Sequence, residues 1–330
     1  MKNIFLILFS CCTIIISFNS CTNPVDTNNL IGWGTIYPSP YYWPVWSRDG
    51  KTIAFLYTPV VGINSGGQIE LNSDSAGIWF INPDGTNQRF VSRIWGNFDI
   101  SYDNKWIVWG ASHQIFRVPI YGDYVDTTKI TQLTTEGENS YPAYSPEGNY
   151  IAYQRSYAYP ESQSVLGIWL MDSDVSLKKQ IFQGNSGYPT WRYIDTSISF
   201  FRGVINSDGE VLGDSLWIYK LSSKSIQHIL FLSGDNRFPR YSPDGSKIVF
   251  QSQINGNVTQ ICIIDSDGTN FKQLTTYGGE YPSWAPDSKR VVYVKYNPWR
   301  LTPYNGTLWI LDASTGEEHQ LTYNTNLIIK

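Results

Sequence analysis

The chain of 330 residues is short of the groups that catalysis and metal binding usually need. It has 3 histidines, His113, His228 and His319, in different parts of the chain, and no metal-binding spacing joins them. Of its 4 cysteines, Cys11, Cys12 and Cys21 lie at the N-terminus and only Cys262 lies in the body, which excludes a disulfide framework there. Alanine occurs 8 times while Trp, Tyr and Phe make up 15%, a composition poor in helix formers and rich in strand formers. With 24 basic against 28 acidic residues the net charge is −4, so a general nucleic-acid binder, which would usually be basic, is not expected. The chain carries no Gly-x-Ser-x-Gly nucleophile elbow and no phosphate-cradling glycine loop. Neither catalytic residues, nor a cofactor, nor a metal site are expected.

What the chain does have is a repeated phrase. Its clearest copy is Phe238-Pro239-Arg240-Tyr241-Ser242-Pro243-Asp244-Gly245, followed by Ser246, Lys247 and the apolar Ile248-Val249-Phe250. Pro-Asp-Gly is turn chemistry: proline presets φ, aspartate bonds nearby backbone, and glycine accepts φ > 0. The phrase returns at Trp43-Pro44-Val45-Trp46-Ser47, Tyr141-Pro142-Ala143-Tyr144-Ser145 and Tyr281-Pro282-Ser283-Trp284-Ala285. Two copies are worn. One has Phe98 in place of the proline and Ile100 in place of the second aromatic. The other keeps Tyr188-Pro189-Thr190-Trp191 but runs Arg192, Tyr193, Ile194 and Asp195 through the turn. The prolines, with Phe98 standing in, are spaced by 54, 44, 47, 50 and 43 residues. Such a period marks a propeller or an array.

Third strands are expected at 77–81, 114–118, 167–171, 215–219, 260–264 and 307–311, followed by hairpin turns such as Asp84-Gly85 and Asp267-Gly268. Fourth strands follow, clearest at 129–134, 271–275 and 319–322. Four antiparallel strands per repeat, arranged radially, make propeller blades. The expected fold class is therefore all-β: a six-bladed β-propeller of four-stranded antiparallel blades. Trp46, Trp191 and Trp284 on first strands, and Trp79, Trp169, Trp217 and Trp309 on third strands, are expected to be core. Gly213-Asp214-Ser215-Leu216 spells a hydrolase motif, but repeat alignment makes Ser215 the start of a third strand. Asp265 to Asn270 has the look of a calcium loop, but its glycine comes two places early and the distal glutamate is missing, so a hairpin turn is expected.

The aromatic-Pro-x-aromatic-Ser-Pro-Asp-Gly phrase with its following strands resembles the repeat of TolB-like six-bladed β-propellers, over about residues 37–323. One fold hosts many roles, so the resemblance implies fold more than function. TolB also carries an N-terminal α/β domain that works in the Tol-Pal envelope system. Too few residues separate Cys21 from the first repeat to hold one, so a Tol-Pal role is not expected.

The N-terminus has the shape of a secretory signal: Lys2, then a mostly apolar stretch at 4–18, then Asn19-Ser20-Cys21. Its apolar run of 15 residues is short for a membrane-spanning helix. Ser20-Cys21 resembles a bacterial lipoprotein signal, which implies a lipid on Cys21; Phe18 and Asn19 depart from the usual pattern, and an ordinary cleaved signal is the alternative. The expected layout is a signal peptide at 1–20, a tether with a candidate ring-closing strand at 21–36, and the propeller at 37–330. The implied location is the periplasm or the cell surface, membrane-anchored by lipid.

Topology sorts the loops. The turns between first and second strands share one edge with those between third and fourth, and these turns are short. The long segments, 57–76, 156–166, 203–214 and 296–306, fall on the other edge, where repeat-specific insertions usually mark the binding face. Candidate ligand-binding residues on that face are Arg155, Arg202, Arg237, Lys295, Arg300, Trp95, Tyr157 and Trp299, with Tyr159 and Tyr304 nearby. The alternative is that these cations pair with Glu136, Glu138, Asp235 or Glu280. The first functional expectation is a non-enzymatic envelope module that binds a protein or peptide there; the second is a lipoprotein that binds an acidic polysaccharide. A propeller lyase or hydrolase is the third, and no nucleic-acid partner is expected.

Overall fold

The repeat phrase folds as the innermost strand of a blade. The computed structural model describes residues 40–63, 69–156, 163–253, 258–295 and 306–323. The signal, the tether, Cys21, Tyr157, Tyr159, Trp299, Arg300, Tyr304 and the candidate ring-closing strands lie outside the described residues. Six antiparallel sheets follow one another along the chain, each built in sequence order from its own repeat. Blade 1 is Tyr41–Trp46, Ile53–Tyr57, Gly77–Ile81 and Arg89–Ser92; blade 2 is Phe98–Ile100, Trp106–Ala111, Gln114–Tyr121 and Thr131–Gln132, with Tyr124–Val125 added. Blade 3 is Glu138–Tyr144, Tyr150–Ser156, Gly167–Asp172 and Lys178–Gln183; blade 4 is Ser186–Trp191, Ser197–Ile205, Val211–Lys220 and Ser225–Ser233. Blade 5 is Asn236–Tyr241, Lys247–Ser252, Gln260–Asp265 and Lys272–Gln273; blade 6 is Glu280–Trp284, Arg290–Lys295, Thr307–Asp312 and Glu318–Gln320.

The aromatic-Pro pair marks a β-bulge. In blades 1, 3, 4, 5 and 6 the register between first and second strands slips at this pair, for example between Arg237 and Arg240. The aromatic just before the proline takes φ of +52 to +60°, as at Tyr141 and Tyr188. Left-handed backbone is rare for bulky residues, and a bulge is one of the few places where a sheet accepts proline. Blade 2 lacks both the proline and the slip: Phe98, Asp99 and Ile100 pair in unbroken register with Trp109, Val108 and Ile107.

The second aromatic of the phrase makes the seams. The Trp191 indole donates to the Ala143 carbonyl of the preceding blade at 2.9 Å, and the Trp284 indole to the Arg240 carbonyl at 2.9 Å. The Tyr144 N–H donates to Asp99 Oδ2 at 3.0 Å, and the Trp46 N–H to Ser283 Oγ at 3.2 Å. This last bond joins blade 6 to blade 1. Around it Tyr41, Trp46, Ile53, Phe55 and Ile81 pack against Ala285, Val292, Val294, Leu308, Ile310 and Leu321. Among the described residues the ring therefore closes by side-chain packing, with each blade keeping its own four strands.

Two expectations need correction. The third-strand tryptophans, Trp79, Trp169, Trp217 and Trp309, are half-buried and not fully core. Two insertions expected to be irregular carry regular structure in their described residues: 203–214 continues the hairpin of blade 4, and 57–76 carries a small hairpin, Val60–Ile63 with Ile69–Leu71, and a short turn of helix at Ser73–Ser75. The hydrolase-like serine, Ser215, lies in the third strand of blade 4, and Asp265 to Asn270 is a hairpin turn closed by the Thr269 carbonyl.

The turn aspartates tie the short edge together. The Ser314 hydroxyl and the amides of Thr315 and Ser314 hold the Asp312 carboxyl down to about 2. The hydroxyl and amide of Thr86 lower Asp84 in the same way, and those of Thr269 lower Asp267. These folded pKa values lie below the unfolded ones, so the stabilisation is full above the unfolded value and is lost as pH falls through the folded one. Thermal melts should show Tm falling as pH drops from about 4 toward about 2, the span between an ordinary aspartate and a strongly bonded one. The Asp312→Asn variant should show a shallower fall.

Candidate functional site

The axis of the ring is lined by one residue from each first strand, the x of aromatic-Pro-x-aromatic. Val45, Asp99, Ala143, Thr190, Arg240 and Ser283 all face one cavity. Toward the insertion-bearing edge that cavity is floored by the positive-φ aromatics. Phe238 is their hub, with ring centroids 4.9 Å from Trp43, 5.8 Å from Tyr141, 4.6 Å from Tyr188 and 5.1 Å from Tyr281. Blade 2 contributes Asn97 at this level, whose Oδ1 accepts from the Tyr141 N–H at 2.7 Å. Five rings thus cluster about the axis, and four of them, Trp43, Tyr141, Tyr188 and Phe238, line a second, smaller cavity that Arg240 also reaches.

On the short-turn side the phrase departs from its consensus in a concerted way. Where three blades have the turn proline (Pro146, Pro243, Pro286), the others have Arg48, Tyr102 and Tyr193. These three gather over the cavity: the Arg48 guanidinium lies 4.8 Å from the Tyr193 ring centroid, and Tyr193 lies 5.9 Å from Tyr102. Arg48 pairs with Asp99 at 3.8 Å. Arg240 reaches in from blade 5, its guanidinium 5.9 Å from the Trp43 ring. Burial pulls the Arg240 pKa down and the Arg48 charge adds to this, against the opposing Asp99 carboxylate. Burial pushes the Tyr193 phenol up, so it is neutral at physiological pH. The site can therefore present two fixed positive charges and one negative charge along a narrow polar well. None of these residues is among the candidates that the sequence offers at the insertion-bearing face. Their signal was available: charged residues at x in two copies, and non-proline residues at the turn in three.

Of the cations expected to form a site at the insertion-bearing edge, the described ones, Arg155, Arg202, Arg237 and Lys295, are each engaged locally. Arg155 lies 5.0 Å from the Trp169 ring, Arg202 5.7 Å from Phe182 and 6.0 Å from Trp217, and Lys295 4.3 Å from Trp309. Tyr57 takes the same position against Trp79, at 5.2 Å. The register explains the pattern. Tyr153, Phe200, Tyr293 and Phe55 lie opposite those tryptophans, so the residue two places on is their diagonal neighbour on the same face. Lys295 also pairs with Glu318, and Arg237 pairs with Asp235 at 2.5 Å. Trp95 is half-buried and packs against the core cluster of blades 1 and 2. The structure gives each of these residues a partner nearby, in its own blade or the next, and does not bring them together. The three histidines are apart, and among the described residues no group of His, Cys, Asp or Glu is placed to hold a metal.

With six four-stranded blades around one axis, the chain is a six-bladed β-propeller. No family model matches it. It is similar to the uncharacterised protein Atu1656 of Agrobacterium fabrum, 25% identical over 290 residues, covering 81% of this chain and 87% of that one. It is also similar to the Tol-Pal system protein TolB of Francisella tularensis, 27% identical over 218 residues, which covers 64% of this chain and 47% of that TolB. The chain thus spans about half the length of that relative. Among solved structures it resembles a putative TolB from Agrobacterium tumefaciens, with a TM-score of 0.58 and 20% identity, over 72% of this chain and 84% of that one. An oligogalacturonate lyase shares the fold at a TM-score of 0.54 and 10% identity, over 82% of this chain and 89% of that one. Both likenesses concern the fold alone.

Proposed function

We propose that this chain is a non-enzymatic binding module of the cell envelope that recognises a protein or peptide with its insertion-bearing face. The observation that carries the reading is the projecting hairpin of blade 4. Its second and third strands stay paired as far as Ile205 and Val211, and its fourth strand runs on to Ser233. At the tip Ile205 is 60% exposed, Val211 75% and Leu212 48%, an apolar group held out in water. Exposed apolar surface of this kind suits a partner. The fourth strand, nine residues in blade 4 against two to six in the others, offers an open edge for strand addition. Similarity to a protein of the Tol-Pal system agrees with an envelope setting. The proposal includes a lipid anchor on Cys21 that holds the module in the periplasm or at the cell surface. The acidic-polysaccharide alternative is weaker on this geometry, because Trp95 is packed and Arg155, Arg202 and Lys295 lie against aromatic rings.

The test is capture from detergent-solubilised envelope. Wild-type protein should retain one defined partner, and Val211→Asp with Leu212→Asp should lose most of it while melting like wild type. Capture that those substitutions leave unchanged, or a blank with wild type, would overturn the reading. Mass spectrometry should find an acyl group that disappears in Cys21→Ser; an unmodified wild-type chain would remove the anchor.

A further inference from the structure

The axial well carries a charge imbalance that the fold does not resolve. Arg48, Asp99 and Arg240 are its charged lining residues, and the tyrosines beside them, Tyr144, Tyr193 and Tyr241, have phenols raised by burial. Two guanidinium groups thus face one carboxylate. That carboxylate is already shared: Asp99 accepts the Tyr144 N–H across the seam as well as pairing with Arg48. The Arg48 Nε is buried without a hydrogen-bond partner. Among the described residues the Arg240 guanidinium has neither an ion pair nor a hydrogen bond, only the flank of the Trp43 ring. Arginine does not escape such a position by losing its proton. A buried charge without a counter-charge is costly, so the well favours a species that supplies one.

Space and access narrow the choice. The cavity holds about 20 Å³, room for one water-sized group. The aromatic cluster around Phe238 crowds one side, where only a smaller cavity of about 10 Å³ lies. On the other the Arg48 side chain remains 23% exposed and Tyr102 56% exposed, so entry is from the short-turn edge. We propose that this well binds one compact monovalent anion between Arg48 and Arg240, either a free halide or the carboxylate of a small ligand. Guanidinium groups suit both, by charge for the halide and by paired N–H donors for the carboxylate. A divalent oxyanion is disfavoured by size and by Asp99.

Chloride-35 NMR of the intact protein tests this. Wild type should broaden the chloride line in excess of free buffer. Arg240→Gln should weaken binding about tenfold, the loss expected for one hydrogen bond to a charged group. Asp99→Asn keeps the acceptor for Tyr144 and removes the opposing charge, so it should tighten binding several-fold, on the scale of one nearby charge. Lys272→Gln, on the outer strand of blade 5, should change nothing. Sodium formate that displaces chloride extends the site to carboxylates; formate that fails to displace it restricts the site to halide. Equal broadening in wild type and Arg240→Gln would overturn the proposal. Should Arg240→Gln fail to fold by circular dichroism, Arg48→Gln makes the same comparison, and unchanged affinity in Asp99→Asn overturns it independently.

Discussion

Trp46→Ala is expected to cost about 3–5 kcal/mol, the range for emptying a large buried aromatic site. Trp46 is 1% exposed and sits at the junction of blades 1 and 6. The described residues close the ring there by packing and by hydrogen bonds that include the Trp46 N–H to Ser283 Oγ and a side-chain bond between Tyr41 and Thr322, with no strand shared between the two blades. A domain of ordinary stability has about 5–15 kcal/mol in all, so this single change consumes a large part of it. The urea midpoint should fall accordingly. In native-state hydrogen exchange the first strands of blades 1 and 6 should lose protection before those of blades 3 and 4, because a propeller opened at one seam frees its two flanking sheets first. Trp309→Ala removes a ring of the same size from a half-buried site and should cost clearly less. A loss below about 1 kcal/mol for Trp46→Ala would place it within the ordinary run of substitutions and show that the closing seam is held elsewhere.

The number of blades was legible because turn chemistry is local: Pro-Asp-Gly and the aromatic-proline pair announce themselves without knowledge of neighbours. The third strands were legible for the same reason, being short apolar runs beside hairpin signals. Two things depended on three-dimensional register and were not legible. The bulge at Phe238-Pro239 turns Arg240 inward, and Asp99 of the unbulged blade 2 lines the same cavity although the two are far apart in sequence. The cations after the second strands recur in sequence, but only the cross-strand diagonal to Trp169, Trp217 and Trp309 reveals what they touch. The burial of the third-strand tryptophans was overestimated for a related reason. Size and recurrence argued for core, whereas their outer faces are covered by single side chains such as Arg155 and Lys295.

At Phe238 the usual order of substitutions should invert. The ring is 5% exposed and contacts four other aromatics of the axial cluster, so Phe238→Ala should cost about 3–5 kcal/mol through the lost contacts and the cavity left behind. In an ordinary strand, glycine would be worse than alanine by about 0.5–1 kcal/mol, because it loses more freedom on folding. Here φ is +55°, a conformation that costs a residue with a Cβ roughly 1–2 kcal/mol and glycine nothing. Phe238→Gly should therefore be no less stable than Phe238→Ala, and by the difference of these terms up to about 1.5 kcal/mol more stable. Paired urea titrations decide it. Glycine falling clearly below alanine would mean that the left-handed turn before Pro239 is not held in solution. The bulge would then not be what turns the ring of Phe238 onto the axis, and the floor of the axial well would need another explanation.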